Sequence, residues 1–120
     1  MSTILVVEDS RTQRYMVTTL LAASEFTVTA AKDGIEALKQ IRQACPDVVI
    51  LDVVMPHLNG YEVCRRLKSN PVTKNLPVIM CSLKSTNVDR YWALKQGADA
   101  YISKPFQPGE LIETVKMLLR

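Results

Sequence analysis

Five residues with charged or reactive side chains each close or follow a short apolar run: Glu8, Asp9, Asp52, Ser82 and Lys104. Glu8-Asp9 ends Ile4-Leu5-Val6-Val7, Asp52 ends the run Asp47-Val48-Val49-Ile50-Leu51-Asp52, Ser82 ends Pro77-Val78-Ile79-Met80-Cys81-Ser82, and Lys104 follows Ala100-Tyr101-Ile102-Ser103. Three carboxylates without histidine or thiol suit a hard divalent cation, Mg²⁺, which takes one or two carboxylates and keeps several waters. Protonation is the other way to relieve their mutual repulsion. A hydroxyl and a fixed cation beside an aspartate and Mg²⁺ form a phosphoryl-binding set. On this reading Asp52 is a nucleophile that forms an aspartyl phosphate. Lys104 and Mg²⁺ neutralise the phosphoryl oxygens, and Ser82 hydrogen-bonds one of them. No separate general base is needed, because an aspartate is already ionised near neutral pH. Taken singly, each residue also has a plain structural explanation: a solvated helix entrance for Glu8 and Asp9, a capping aspartate, a backbone-bonded serine, a surface lysine.

The elements that must position these residues alternate. Each apolar run reads as a strand buried on both faces. Phe26-Thr27-Val28-Thr29-Ala30 adds another, and a helix follows every strand. Ser10 starts the first helix with Gln13 as its capping-box partner, and Met16, Val17, Leu20 and Leu21 recur on one stripe. Asp33, Asn59 and Thr86 open the next three helices, with Asp89 completing a box at Thr86. Gly97 ends the fourth helix, and Pro108 begins the fifth, which runs out at Arg120. Five βα units imply an α/β fold, a doubly wound parallel five-stranded sheet with helices on both faces. Right-handed crossovers leave few topologies, and the common flavodoxin-like order 2-1-3-4-5 is the one expected. In that order the crossovers change face between strands one and three, and ligands bind at the carboxyl ends of the strands there. The five candidate residues fall on that edge.

A chain of 120 residues, 48% hydrophobic and 22% charged, fits one domain spanning residues 1–120. No apolar run reaches the roughly 18 residues of a membrane helix, and Met1–Leu5 lacks the features of a signal peptide. Three cysteines, Cys45, Cys64 and Cys81, are an odd number without C-x-x-C spacing and read as buried thiols of a reducing compartment. A cytoplasmic location follows. Net charge is +3, with seven acidic and five basic residues in 1–60 against five and ten in 61–120. No basic run is interleaved with aromatics, so nucleic acid is not an expected partner.

Together these residues make the chain resemble the receiver domain of two-component response regulators. The motifs are Val6-Val7-Glu8-Asp9-Ser10, Leu51-Asp52-Val53-Val54-Met55-Pro56 with Asn59-Gly60, then Ser82, then Gly97-Ala98-Asp99-Ala100-Tyr101 and Lys104-Pro105-Phe106. The resemblance implies that Asp52 takes a phosphoryl group from a sensor histidine kinase or a histidine phosphotransfer protein. It implies that Asp9 binds Mg²⁺ directly, Glu8 through a metal water, and the Val54 backbone carbonyl as a third protein ligand. Lys104 is implied to bind the phosphate, Ser82 to sense it, Tyr101 to be the aromatic switch, and Lys104–Pro105 to be cis. The signal would leave through the face of helix four, strand five and helix five, and helix one would dock the phosphodonor. Such a protein is no enzyme beyond its own phosphorylation and dephosphorylation.

Partner faces are read from exposed-type residues. Arg11 and Arg14 open helix one beside the acidic site, as docking residues or as a solvated face. Tyr91, Trp92 and Leu94 exceed what one buried stripe of helix four needs, so Trp92 either anchors an interface or packs between helices. Arg65, Arg66, Lys68 and Lys74 read as a solvated face. The chain is expected to be a monomeric, stand-alone module that acts on a downstream target protein, in the manner of chemotaxis, twitching-motility or phototaxis regulators. Three other readings are weaker. An aspartate-nucleophile phosphatase usually carries a second aspartate where Val54 stands, and a cap domain. A flavin binder would need a phosphate loop, whereas Glu8-Asp9-Ser10-Arg11-Thr12 has carboxylates and no glycine. A receiver-like module that binds partners without phosphorylation would not need the complete site.

Overall fold

The computed structural model describes residues 2–84 and 86–119. The elements in chain order are β1 (Thr3–Val7), α1 (Arg11–Ala23), β2 (Thr27–Ala31), α2 (Gly34–Gln43), β3 (Val48–Leu51), α3 (Gly60–Ser69), β4 (Val78–Ser82), α4 (Asn87–Lys95), β5 (Ala100–Ser103) and α5 (Pro108–Leu118). Every strand pairing is parallel, in the order β2-β1-β3-β4-β5. This is the flavodoxin-like order expected from the alternation. β2 lies one residue later than its apolar pattern suggested, and Arg120 falls outside the described residues.

The continuous apolar runs follow from the period-2 geometry of a strand covered on both faces. Leu5, Val7, Val49, Leu51, Val78 and Met80 meet Ala37, Ile41, Val63, Leu67 and Ala93 on the α2–α3–α4 side. Ile4, Val6, Val48, Ile50, Ile79 and Cys81 meet Val17, Leu21, Leu111 and Val115 on the α1–α5 side. β2 is an edge strand, and its Thr27 and Thr29 face solvent.

Helix starts are set by side chains. Ser10, Asp33, Asn59 and Thr86 each accept a hydrogen bond from the backbone N–H three residues on. At Thr86 the reciprocal bond from Asp89 completes the capping box. At Ser10 it does not: the Gln13 side chain bonds elsewhere, as described below. α4 ends in a Schellman motif, with Gly97 N–H bonded to Leu94 O, Ala98 N–H to Ala93 O, and Gly97 at φ 104°. The end of α1 has the same bonds, Glu25 N–H to Ala22 O and Phe26 N–H to Leu21 O, with Glu25 in the left-handed position at φ 70°.

Three sequence expectations are corrected. Cys45 is exposed, because it lies past the end of α2 rather than on its buried stripe, whereas Cys64 and Cys81 are buried. Met16 is exposed, since Val17 and Leu21 supply the buried stripe of α1. Lys68 is not solvated: its ammonium donates to Leu76 O and to Asp99 Oδ2, at 2.8 and 2.9 Å. Arg65 and Arg66 do lie on the surface, paired with Glu62. Among the described residues, no helix is long and apolar enough to cross a membrane.

Candidate functional site

The sheet ladder runs on into the functional residues. Glu8 N–H donates to Ala31 O of β2, Asp52 N–H to Val7 O of β1, and Lys104 N–H to Ser82 O of β4, at 3.1, 3.1 and 2.8 Å. Each side chain is thus the first beyond its strand, held by backbone bonds at the carboxyl edge of the sheet. Oxygens of Glu8, Asp9 and Asp52 come within 4.8 Å of one another. Glu8 is buried, Asp52 half-buried and Asp9 exposed.

Gly60 holds the Asp52 turn from below. Its N–H donates to Val53 O at 2.9 Å, and a Cβ there would stand 2.3 Å from the Asp52 carbonyl oxygen. Only glycine permits that approach. Val54 N–H points to Asp52 Oδ1 at 3.4 Å, and its side chain is exposed.

Lys104 crosses the site. Its Nζ donates to Glu8 Oε1 at 2.5 Å and Gln13 Oε1 at 2.6 Å, and lies 3.6 Å from Asp52 Oδ2. Burial alone would lower the Lys104 pKa. The hydrogen bond to Glu8 and the charges of Asp52 and Glu8 outweigh it, so the ammonium is held above its usual range. Burial pushes the Glu8 carboxyl up; the bond from Lys104 opposes this and the neighbouring Asp52 adds to it.

Glu8 Oε2 is buried without a hydrogen-bond partner. An orphaned carboxylate oxygen is costly unless something else satisfies it. With two further carboxylates in reach and no soft ligand among the three, the residues fit a hard divalent cation.

Ser82 is buried at the end of β4, and its Oγ accepts from Lys84 N–H at 3.2 Å. Tyr101, on the neighbouring strand, is half-buried, with its hydroxyl bonded to Lys84 O. Both therefore grip the same short loop. The Arg90 guanidinium lies 5.3 Å from the Tyr101 ring centre and donates to Tyr101 O and Ser103 Oγ, tying α4 to β5. The Lys104–Pro105 peptide is cis.

The partner-face residues divide. Arg11 is exposed. Arg14 is not a free docking cation: it donates to Glu8 O at 2.8 Å and Asp9 O at 3.5 Å, bracing the acidic loop. Trp92 and Leu94 are 50% and 55% exposed, so the inter-helix packing alternative for Trp92 does not hold. A groove of about 440 Å³ runs from Lys104 between α1 and the β5–α5 loop, walled by Met16, Leu20, Leu83 and Phe106. Sequence reasoning passed over Gln13 as a site residue, along with Arg90. Gln13 at the third position of a helix looks like a cap partner, and Arg90 carries no pattern pointing back to β5.

Comparison with known proteins places the chain in a family. Residues 4–116 match the model of the response regulator receiver domain. The chain is 37% identical to protein PilH of Pseudomonas aeruginosa, over 99% of its own length and 98% of that protein. It is 39% identical to the DNA-binding response regulator MtrA of Mycobacterium tuberculosis, and there it spans about half (50%) of that relative's length. Among solved structures, the chemotaxis protein CheY4 of Vibrio cholerae superposes with a TM-score of 0.93 at 32% identity, covering 99% of both chains. A receiver domain of a signal transduction histidine kinase from Syntrophus aciditrophicus superposes with a TM-score of 0.93 at 36% identity, covering 99% of this chain and 90% of that one. By its sheet order, its carboxylate edge and a family match over nearly its whole length, the chain belongs to the response regulator receiver domains of two-component systems.

Proposed function

We propose that the protein is a phosphoacceptor switch that takes a phosphoryl group on Asp52 from a histidine kinase or histidine phosphotransfer protein. The observation that carries this is Lys104 Nζ, 3.6 Å from Asp52 Oδ2 beside a cluster of three carboxylates. An Asp52 oxygen forms the bond to phosphorus while the phosphorus–nitrogen bond to the donor imidazole breaks. The electron pair stays on the imidazole, which is left to take a proton from water. Lys104 is placed to donate to a phosphoryl oxygen, and Ser82 to donate its hydroxyl to another once Oγ turns from the loop. Glu8, Asp9 and Asp52, with the Val54 carbonyl, would hold Mg²⁺, which supplies charge neutralisation for the transferring group. The protein turns over no external substrate; it catalyses its own modification and hydrolysis.

The groove beside Lys104 suits a helix of the phosphodonor, and Arg11 is an exposed cation on the same α1 helix. A Ser82 shift pulls on the loop that the Tyr101 hydroxyl also holds, which couples the site to α4, β5 and α5. Exposed Tyr91, Trp92 and Leu94 then meet a downstream protein, in a chemotaxis or motility pathway of the cytoplasm.

The test is incubation with Mg²⁺ and acetyl phosphate, followed by mass and Trp92 fluorescence. The mass should rise by one phosphoryl group, only with Mg²⁺, and not in Asp52→Asn. Turnover of phosphate esters without self-modification would instead make the protein a phosphatase.

A further inference from the structure

Gln13 occupies the helix position from which a capping box would return a bond to Ser10, yet its amide turns into the site. Its backbone N–H is bonded to Ser10 Oγ at 3.3 Å, while Oε1 accepts from Lys104 Nζ at 2.6 Å. Ser10 thus holds the first turn of α1, and the Gln13 side chain serves a residue 91 positions away.

An ammonium has three hydrogens and no acceptor. On Lys104 one goes to Glu8, one to Gln13, and the third faces Asp52 Oδ2 at 3.6 Å, beyond hydrogen-bond reach. The electrostatics of Glu8 and Asp52 change when a cation or a phosphoryl group arrives. The Gln13 amide is neutral and outside the carboxylate cluster, so neither event changes its own charge.

We infer that Gln13 is a positioning residue: its amide oxygen pins one hydrogen of the Lys104 ammonium and leaves the other two facing Glu8 and Asp52, where phosphoryl oxygens gather. The inference rests on the phosphoacceptor reading above. A long lysine side chain loses much rotamer freedom when it is immobilised on a ligand. Gln13 imposes that order beforehand, so less remains to be lost at phosphoryl transfer.

Gln13→Met keeps the length and helix propensity and removes the acceptor. At saturating Mg²⁺, phosphorylation by acetyl phosphate should slow about tenfold, the low end for a hydrogen bond to a charged group. Mg²⁺ affinity by calorimetry should stay at the wild-type value. On a Lys104→Met background, adding Gln13→Met should change nothing, because no ammonium remains to be positioned. In metal-free protein, acetic anhydride should label Lys104 faster in Gln13→Met than in wild type, read by peptide mass. Equal phosphorylation rates in Gln13→Met and wild type would overturn the inference, as would the same slowing on the Lys104→Met background. If the wild type takes no phosphoryl group, the phosphoacceptor reading falls. The labelling then decides the positioning alone, and unchanged labelling overturns it.

Discussion

Val54 stands beside Asp52, with its N–H toward Oδ1 and its side chain in solvent. A branched apolar group there has no polar atom to orient a water toward an acyl phosphate, so phosphorylated Asp52 should be comparatively long-lived. Val54→Asn should hydrolyse faster, measured as loss of the phosphoryl mass after the donor is removed; an equal or slower rate would count against this. The cysteines make a second case at this scale. Burial raises the thiols of Cys64 and Cys81 to about 11 and about 12, while the exposed Cys45 is raised as well, by partial burial and the charge of Asp47. The thiolate is the nucleophile, so a raised pKa slows alkylation at neutral pH and lets it accelerate as the pH rises. Iodoacetamide should therefore add once to the native protein, at Cys45 and faster at pH 9 than at pH 7. Three adducts should appear after denaturation.

At the scale of elements, two helices end in the same hydrogen-bonded motif with different residues at the left-handed position. Gly97 meets that backbone geometry without strain; Glu25 meets it against the Cβ penalty, at φ 70°. Glu25→Gly should stabilise the protein by about 1 kcal/mol in urea unfolding. Gly97→Ala should destabilise by at least about 1 kcal/mol, since φ 104° is unfavourable for alanine and its Cβ would lie 2.7 Å from Lys68 Cγ. A loss at Glu25→Gly would show that the Glu25 side chain contributes more than its strain costs. Gly97 was legible as a helix stop because glycine signals one. Glu25 was not, because bonds made by Phe26 and Leu21 impose its conformation.

At the scale of the molecule, the fold gathers like charge. Glu8, Asp9 and Asp52 converge although 44 positions in the sequence separate the first and last of them. Lys104 offsets part of that charge, and the orphaned Glu8 oxygen marks what remains unsatisfied. A ligand that binds only the folded state stabilises it by mass action. Mg²⁺ at ten times its Kd should add about 1.4 kcal/mol, or about 6 °C in Tm. Most of that gain should vanish in Asp9→Asn, checked by thermal melts with and without the ion. The basic excess of residues 61–120 is also modified by folding: Arg65, Arg66, Lys68 and Lys104 all pair with carboxylates, so less of it is free to attract acidic partners than the count implied.

The sequence by itself determined the βα alternation, narrowed the sheet order to a few of which the common one is observed, and thereby marked the edge that carries Glu8, Asp9, Asp52, Ser82 and Lys104. It could do so because strand periodicity, capping side chains and chain-crossing rules are local or nearly local properties. Only the tertiary structure decided that Gln13 serves Lys104 rather than Ser10, that Arg14 braces the acidic loop, that Lys68 is bound by Asp99 and Leu76, and that Trp92 stands in solvent. Those side chains are long and polar or amphipathic. Where their ends go depends on partners supplied by distant segments, and no spacing along the chain records that choice.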